Sequence, residues 1–204
     1  MENAITLFTI PHTGTHFAIS LFEAFGIDGS IKYKPEAVCK ERPRCKPFPQ
    51  GPRPFWWLAH CGSTREYMDP LMPSLINAKK LIVTARDPYL SAIRYFRPGT
   101  NRTMDSVKRR WDHFFEILEG SQHGYFVLNI DCRKEHRHKH IADLCNFLNQ
   151  PYDQRIELFV NSWKPKNVSN TEAKRKYLET GQLPNCGNWS LLDLAVEWYK
   201  GLNE

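Results

Sequence analysis

The sequence predicts a three-layer α/β fold with a central, mainly parallel β-sheet. Apolar runs that suit buried strands alternate with amphipathic runs that suit helices along the 204 residues. The run KKLIVTA, residues 79–85, is almost continuously apolar, as in a parallel strand covered on both faces. Because a chain of this length fills one core and is short for two, we expect a single domain over residues 1–204.

The first elements follow from hydrophobic spacing. Residues 4–10 are apolar and predict a buried strand, and residues 14–25 carry apolar side chains three or four positions apart, which predicts a helix ended by Gly26. The segment 28–54 is crowded with Pro, Lys, Arg and Cys. It predicts a basic surface loop or flap with little regular structure.

The later elements are predicted in the same way, by periodicity and by Pro or Gly at the ends. The predicted strands cover residues 55–60, 79–85 and 125–130, and the predicted helices cover residues 88–98, 104–119, 138–148, about 169–179 and about 189–202.

Composition and charge narrow the classes of partner. The formal net charge of +6 and a pI near 9.0 favour anionic partners. No apolar run approaches the roughly 20 residues of a membrane-spanning helix, and the N-terminus lacks the pattern of a signal peptide. We therefore expect a soluble, cytoplasmic protein without a membrane partner, and the lack of a nucleic-acid-binding signature gives no reason to expect a nucleic acid.

The stretch TIPHTGTHF, residues 9–17, joins the first strand to the first helix. A helix N-terminus that follows a strand through a tight turn presents unpaired N–H groups and partial positive charge, which suits an anion. Gly14 permits close backbone approach, while Thr13, Thr15 and His12 offer further donors. The alternative is an ordinary capped helix.

Two better-known phosphate loops do not fit. A Walker A loop needs a Gly-Lys dipeptide, and the sequence contains none. In cysteine phosphatases the phosphate-binding Arg stands six residues after the Cys, whereas six residues after Cys61 stands Tyr67.

A second strand–helix junction carries Arg86, Asp87 and Pro88 directly after the run 79–85. Together with residues 11–17 it resembles the two cofactor signatures of sulfotransferases that use 3′-phosphoadenosine 5′-phosphosulfate (PAPS). The family's first loop commonly reads P-K-S-G-T-T-W, and its second signature is an Arg followed by Asp or Asn and Pro.

Further resemblances to the same family occur in the family's order. Residues 57–60 (WLAH) stand where the family has a short strand ending in Thr-His, and residues 69–71 follow like its Leu-Pro segment. Residues 125–131 resemble its strand that ends in an acidic turn, and residues 141–148 resemble the next helix. The resemblance covers roughly residues 4–150.

The resemblance implies a P-loop-like sulfotransferase fold and transfer of a sulfuryl group from PAPS to a hydroxyl or amine of a small-molecule or glycan acceptor, with no metal expected. The first loop would hold the phosphosulfate, Phe17 would stack on adenine, and Arg86 would bind the 3′-phosphate. The implied cofactor-binding residues are Pro11, His12, Thr13, Gly14, Thr15, His16, Phe17, Arg86, Ser91 and Arg94.

Two histidines are the candidate catalytic residues. His60 is the candidate base on the acceptor, although a lone His at a strand end also suits a structural role. His12 stands where the family has Lys, and since free imidazole has a pKa near 6.5, it would be cationic only if a bound anion raised that pKa. The family's 3′-phosphate Ser stands eight residues after the Arg, where this chain has Arg94; Ser91 is a second possibility.

Arg86 has an alternative interpretation as a helix-start ion pair, and Asp131 is interpreted as a turn residue that could support the site. Two other functions also stay open. One is ATP-dependent phosphoryl transfer with Mg²⁺ on a P-loop-like fold, and the other is noncatalytic binding of a nucleotide or sulfated polymer.

Overall fold

The computed structural model describes residues 3–41, 44–93, 103–163, 172–185 and 187–203, and the architecture given below is that of these residues.

The fold is built on a five-stranded parallel sheet in the order β2-β5-β1-β6-β7. Strands β3 and β4 pair with each other in a separate two-stranded parallel ribbon. The strands are β1 Ala4–Thr9, β2 Asp28–Ser30, β3 Tyr33–Lys34, β4 Lys46–Pro47, β5 Phe55–His60, β6 Lys80–Ala85 and β7 Tyr125–Asn129.

Helices connect the parallel strands. They are α1 Thr15–Ala24, α2 Glu36–Glu41, α3 Arg65–Met68, α4 Met72–Ile76, α5 Pro88–Ile93, α6 Met104–Gly120, α7 Arg137–Leu148, α8 Gln154–Ser162, α9 Glu172–Thr180 and α10 Asp193–Gly201. Short 3₁₀ segments cover Lys134–His136 and Trp189–Leu192.

The two faces of the sheet bury two separate cores, because successive residues of a strand point to opposite faces. Leu7 of β1 belongs to the core that α1, α7 and α8 cover, whereas its neighbour Phe8 belongs to the core that α4, α6 and α10 cover. Both side chains are completely buried. The predicted three-layer α/β fold with a parallel sheet is therefore confirmed.

The predicted strands and most predicted helices lie where the hydrophobic pattern places them. The strand predicted over residues 55–60 is β5, in which Phe55, Trp56 and Trp57 are buried. The helix predicted over residues 88–98 begins at Pro88, and its part beyond Ile93 lies outside the described residues.

The prediction of little regular structure over residues 28–54 was wrong. Asp28–Ser30 is the edge strand of the main sheet, and two short strands and α2 follow it. Strands of two or three residues are too short for periodicity to show. Gly29 makes the edge pairing possible, since a Cβ there would lie 2.3 Å from the ring of Trp56.

Sequence reasoning also missed α8. This helix is capped by Asp153, whose carboxylate accepts from the backbone N–H groups of Arg155 and Ile156 at 3.0 and 3.1 Å. Ile156 and Val160 are its buried residues. The apolar face is thus narrow, and the exposed Leu158 blurs the helical period.

We predict that His140 makes folding stability depend on pH. Its Nε2 accepts from the backbone N–H of Asn129 at 3.0 Å, and burial lowers the pKa of the imidazole. The folded state therefore favours neutral His140. The contribution of His140 to the free energy of unfolding is complete above the ordinary pKa of 6.5, and it is lost as the pH falls from there toward the lowered pKa. Between about pH 7.5 and about pH 5.5, His140→Gln should lose less of its free energy of unfolding than the wild type in urea titrations.

His123→Gln is the matched control, because His123 lies exposed in the turn before β7. It should retain the wild-type pH dependence. An unchanged pH dependence in His140→Gln would contradict the prediction.

Candidate functional site

Four chain segments meet at the carboxyl edge of the sheet. Thr9 ends β1 and His60 ends β5, and the two residues lie opposite each other in the parallel register. Arg86 follows β6 directly, and Asp131 follows β7 after one residue. In open α/β sheets, ligands bind at this edge, outside the carboxyl ends of the strands.

The turn between β1 and α1 has an unusual backbone. His12 has φ +76° and Gly14 has φ +109°, both in the left-handed region. A Cβ on Gly14 would lie 2.3 Å from Cγ1 of Ile130. The turn therefore packs directly against the chain that follows β7, and only glycine fits position 14.

Thr13 anchors this turn. It is completely buried, and its hydroxyl donates to the Ile10 carbonyl at 2.7 Å. The Thr84 hydroxyl lies 2.7 Å from Oγ1 of Thr13. Because the Thr13 proton is already donated to Ile10, Thr84 must be the donor in this contact. The predicted role of the Thr13 hydroxyl as an anion donor is corrected, because its one proton is used inside the protein.

The N-terminus of α1 has features that suit an anion. Gly14 is the N-cap residue and has no side chain to cap the helix, and the first turn contains no acidic residue. The leading N–H groups of such a helix have no partner within the helix, and the helix dipole adds partial positive charge. Gly14 therefore provides none of the side-chain capping that an ordinary capped helix receives from its N-cap residue.

A chain of polar side chains links this helix terminus to His60. The Oγ1 of Thr9 lies 3.1 Å from Oγ1 of Thr15 and 2.9 Å from Nδ1 of His60. Thr9 is completely buried, whereas His60 and Thr15 are partly exposed. The predicted base and the predicted anion turn are thus connected through one buried hydroxyl.

The surroundings of His60 favour its neutral form. Burial, followed by the positive charges of Lys34 and Arg110, lowers the pKa of its imidazole below 6.5. Lys34 lies on β3, is 8% exposed and donates to the carbonyls of Leu58 and Ile31. Arg110 lies on α6 and donates to the Cys61 carbonyl at 2.9 Å. Sequence reasoning missed both cations, since neither stands near a motif.

Arg86 is held at the end of β6 by Asp131. Its Nε lies 3.4 Å from Oδ1 of Asp131, and the two side chains are 15% and 19% exposed. The other carboxylate oxygen of Asp131 accepts from the backbone N–H of Asp87 at 3.1 Å. The helix-start ion pair considered for Arg86 is therefore present, and the supporting role of Asp131 is to fix this arginine.

Two tyrosines from the C-terminal helices complete the support of this junction. Tyr199 of α10 donates to Asp131 at 3.1 Å, and Tyr177 of α9 donates to Asp87 at 3.0 Å. Burial, followed by the nearby carboxylates, raises the pKa of both tyrosines, which therefore remain protonated donors. No motif pointed to these residues, because their role depends on tertiary packing.

The remaining residues that were predicted to bind the cofactor differ in their exposure and in their contacts. Pro11 is partly buried in the turn and His16 is exposed at the start of α1. Phe17 stacks on Trp163, with ring centroids 4.2 Å apart, so one of its faces is already covered. Ser91 is 2% exposed and donates to the Asp87 carbonyl at 3.2 Å, which directs its hydroxyl into α5. Arg94 lies outside the described residues.

Two cavities of about 370 and 320 Å³ lie near the opposite edge of the sheet, beside the amino ends of β1 and β5. Their linings share Phe55 and residues 49–51, and include none of the side chains described above at the carboxyl edge. The carboxyl edge is the better candidate site, because the polar and charged groups meet there.

Within the described ranges, no group of three or more His, Cys, Asp or Glu side chains could hold a metal ion. Of the helices in this part of the chain, none is long and apolar enough to cross a membrane.

Comparison with known proteins places the fold. Neither a protein-family model nor a curated protein matches the sequence. Mouse sulfotransferase SULT7A1, solved in complex with PAP, has a similar structure with a TM-score of 0.56, 16% identity, and coverage of 86% of this chain and 68% of the mouse chain. The sulfotransferase domain from the curacin biosynthetic pathway has a TM-score of 0.54, 11% identity, and 98% coverage of both chains. The predicted sulfotransferase fold is thereby confirmed.

We predict that Gly14→Ala destabilises the protein through both backbone strain and contact with Ile130. A left-handed conformation costs a non-glycine residue about 1–3 kcal/mol, and the contact should add to this. Gly124→Ala is the control, because Gly124 has φ +72° but a Cβ at that position would have no atom within 4 Å. In urea titrations Gly14→Ala should lose more free energy of unfolding than Gly124→Ala.

In a double-mutant cycle, Ile130→Ala should reduce the loss of unfolding free energy that Gly14→Ala causes, since it removes Cγ1, the atom nearest to the new Cβ. Strictly additive losses would show that the contact with Ile130 is not the cause.

Proposed function

We propose that this protein is a sulfotransferase that moves a sulfuryl group from PAPS to a hydroxyl or amine of its acceptor. The observation that carries the proposal is the order of three groups across adjacent strands. His60 ends β5, the α1 terminus that begins at Gly14 follows β1, and Arg86 follows β6. The residues proposed as base, anion turn and phosphate-binding arginine therefore follow three adjacent strands.

The two anionic groups of the donor fit the two cationic sites. The N–H groups at the start of α1 would hold the phosphosulfate, as helix termini hold phosphate and sulfate groups. The guanidinium of Arg86, fixed by Asp131, would bind the 3′-phosphate through charge-assisted hydrogen bonds. The solved complex of the mouse sulfotransferase with PAP supports a nucleotide of this kind.

His60 would accept the proton of the acceptor. In the proposed reaction, the acceptor oxygen or nitrogen forms a bond to sulfur. The bond from sulfur to the bridging phosphate oxygen breaks, and adenosine 3′,5′-bisphosphate leaves. The acceptor proton passes to Nε2 of His60, the ring nitrogen that does not contact Thr9. The lowered pKa of His60 supports this role, because a base must be neutral before it reacts.

His12 would act on the leaving side. It lies in the turn before α1 and has a left-handed backbone conformation. The sulfotransferase family that the sequence resembles has Lys at this position. A bound anion would raise the pKa of its imidazole and favour the cationic form. His12 would then stabilise negative charge that develops on the phosphate oxygen.

Binding of adenosine 3′,5′-bisphosphate tests the two-anion site. Calorimetry should show tighter binding of this nucleotide than of AMP or of ATP with Mg²⁺. Arg86→Ala should weaken it roughly ten- to hundredfold, since a hydrogen bond to a charged group contributes about 1.5–3 kcal/mol. The affinity of Arg86→Lys for the nucleotide should lie between those of the wild type and Arg86→Ala, because Lys keeps the positive charge and lacks the planar guanidinium.

Arg155→Ala is the control for charge alone. Arg155 pairs with Asp153 and lies near Gly26, at the other end of α1 from the turn. Its loss should leave nucleotide affinity unchanged. Preference for ATP with Mg²⁺ would favour phosphoryl transfer instead, and no nucleotide binding would contradict the proposal.

Turnover of PAPS tests His60. His60→Gln should keep bisphosphate affinity and lose about a hundredfold or more in kcat, measured as bisphosphate release with a panel of hydroxyl and amine acceptors. In the wild type kcat/KM should fall only below pH 6.5, since protonation removes the base. Lys34→Gln should move this acid limb to higher pH, because it removes a positive charge near His60.

Unchanged turnover in His60→Gln would exclude His60 as the base. Salt-sensitive binding of a sulfated polymer, with no PAPS turnover in the wild type, would favour the noncatalytic alternative.

A further inference from the structure

The buried hydroxyl of Thr9 lies between the base and the anion turn. It is 2.9 Å from Nδ1 of His60 and 3.1 Å from Oγ1 of Thr15. The backbone holds this arrangement, because Thr9 and His60 are register partners and the Cys61 N–H donates to the Thr9 carbonyl at 2.8 Å. The three side chains therefore form one hydrogen-bonded row.

A hydroxyl has one proton, so the row can run in two directions. In the first, Thr15 donates to Thr9 and Thr9 donates to Nδ1 of His60. A neutral His60 then carries its proton on Nε2 and cannot accept another there. In the second, Nδ1–H of His60 donates to Thr9 and Thr9 donates to Thr15. The Nε2 of His60 is then unprotonated and can act as a base.

An anion at the α1 terminus selects the second direction. Thr15 is the first residue of α1, and its hydroxyl is next to the helix end where an anion would bind. If Thr15 donates its proton to the anion, it can only accept from Thr9. Thr9, having donated its proton, can only accept from His60, which leaves Nε2 with its lone pair.

We propose that Thr9 is a positioning residue that couples anion binding at the α1 terminus to the tautomer of His60. The base becomes ready for the acceptor only after the donor occupies the turn. This inference rests on the proposed function, because it needs an anion at that turn.

The other groups around His60 are consistent with this coupling. Burial, followed by the charged or titratable groups Lys34, Arg110 and His16, lowers the pKa of His60. These effects favour the neutral ring and leave its tautomer to be decided by hydrogen bonds. Lys34 and Arg110 donate to backbone carbonyls at Leu58 and Cys61. The Thr9 hydroxyl contacts Nδ1, so this contact distinguishes Nδ1 from Nε2.

The test is ¹⁵N NMR of the full chain labelled at its histidines, at a pH where His60 is neutral, with the His60 signals assigned by their loss in His60→Gln. Saturating adenosine 3′,5′-bisphosphate should move the Nε2 signal toward the unprotonated, pyridine-type position and Nδ1 toward the protonated, pyrrole-type position. In Thr9→Val this response should be lost while the nucleotide still binds by calorimetry. Thr9→Ser should restore it.

Thr6→Val is the matched control. Thr6 is a second buried threonine of β1, and its hydroxyl accepts from Nε1 of Trp57 at 2.9 Å instead of contacting His60. This variant should keep the wild-type NMR response. In turnover assays, Thr9→Val should lower kcat about tenfold or more with little change in KM for PAPS, as expected when the base has the wrong tautomer.

The outcomes separate the two proposals. Nucleotide binding without a tautomer change in the wild type, or with the same change in Thr9→Val, would overturn the coupling and leave the proposed function standing. No nucleotide binding by the wild type would overturn both. If Thr9→Val fails to fold, Thr15→Val interrupts the same row from the other side. The ¹⁵N NMR signals of His60 in Thr15→Val at saturating nucleotide then test the coupling.

Discussion

The parallel pairing of β1 with both β5 and β6 is the constraint on which the site depends. Parallel strands end at the same edge of a sheet, so the residues that follow them are brought together however far apart they lie in the chain. β1 lies in the middle, and the buried cores on both faces fix its register. A shift by one residue would turn Thr9 away from His60 and exchange Leu7 and Phe8 between the two cores.

The dipole of α1 and the guanidinium of Arg86 supply much of the positive charge at the candidate site. The α1 terminus contributes its N–H groups, and Gly14 allows that terminus to approach Ile130 closely. Arg86 contributes a fixed charge that Asp131 orients, with Tyr199 holding the carboxylate from α10. Such preorganised groups would need little rearrangement when the proposed donor binds, as the proposed transfer reaction requires.

His60 combines two effects that act together. Burial and the cations Lys34 and Arg110 keep its imidazole neutral, while Thr9 contacts one particular ring nitrogen. The first effect concerns the charge of the ring and the second concerns the position of its remaining proton. The role proposed for His60 requires both, and the fold provides them from β1, β3, β5 and α6.

The sequence predicted the parts of the site that depend on local geometry. A strand, a tight turn containing Gly14 and a helix are read from neighbouring residues, and the position of Arg86 directly after β6 follows from the run that precedes it. The assignments of Thr13 and Ser91 were less successful, because a hydroxyl can donate to an anion or to a nearby carbonyl, and only burial and neighbouring atoms decide which.

The sequence alone therefore determined the fold class, the central strands and the two strand–helix junctions, because these follow from hydrophobic period and turn residues. Tertiary structure alone decided that Lys34 and Arg110 lie near His60, that Tyr177 and Tyr199 hold the Arg86 junction, and that Thr9 connects His60 to Thr15. These contacts join residues from distant segments. Their partners are set by the register of parallel strands and by the packing of helices on the sheet, which no local pattern of residues encodes.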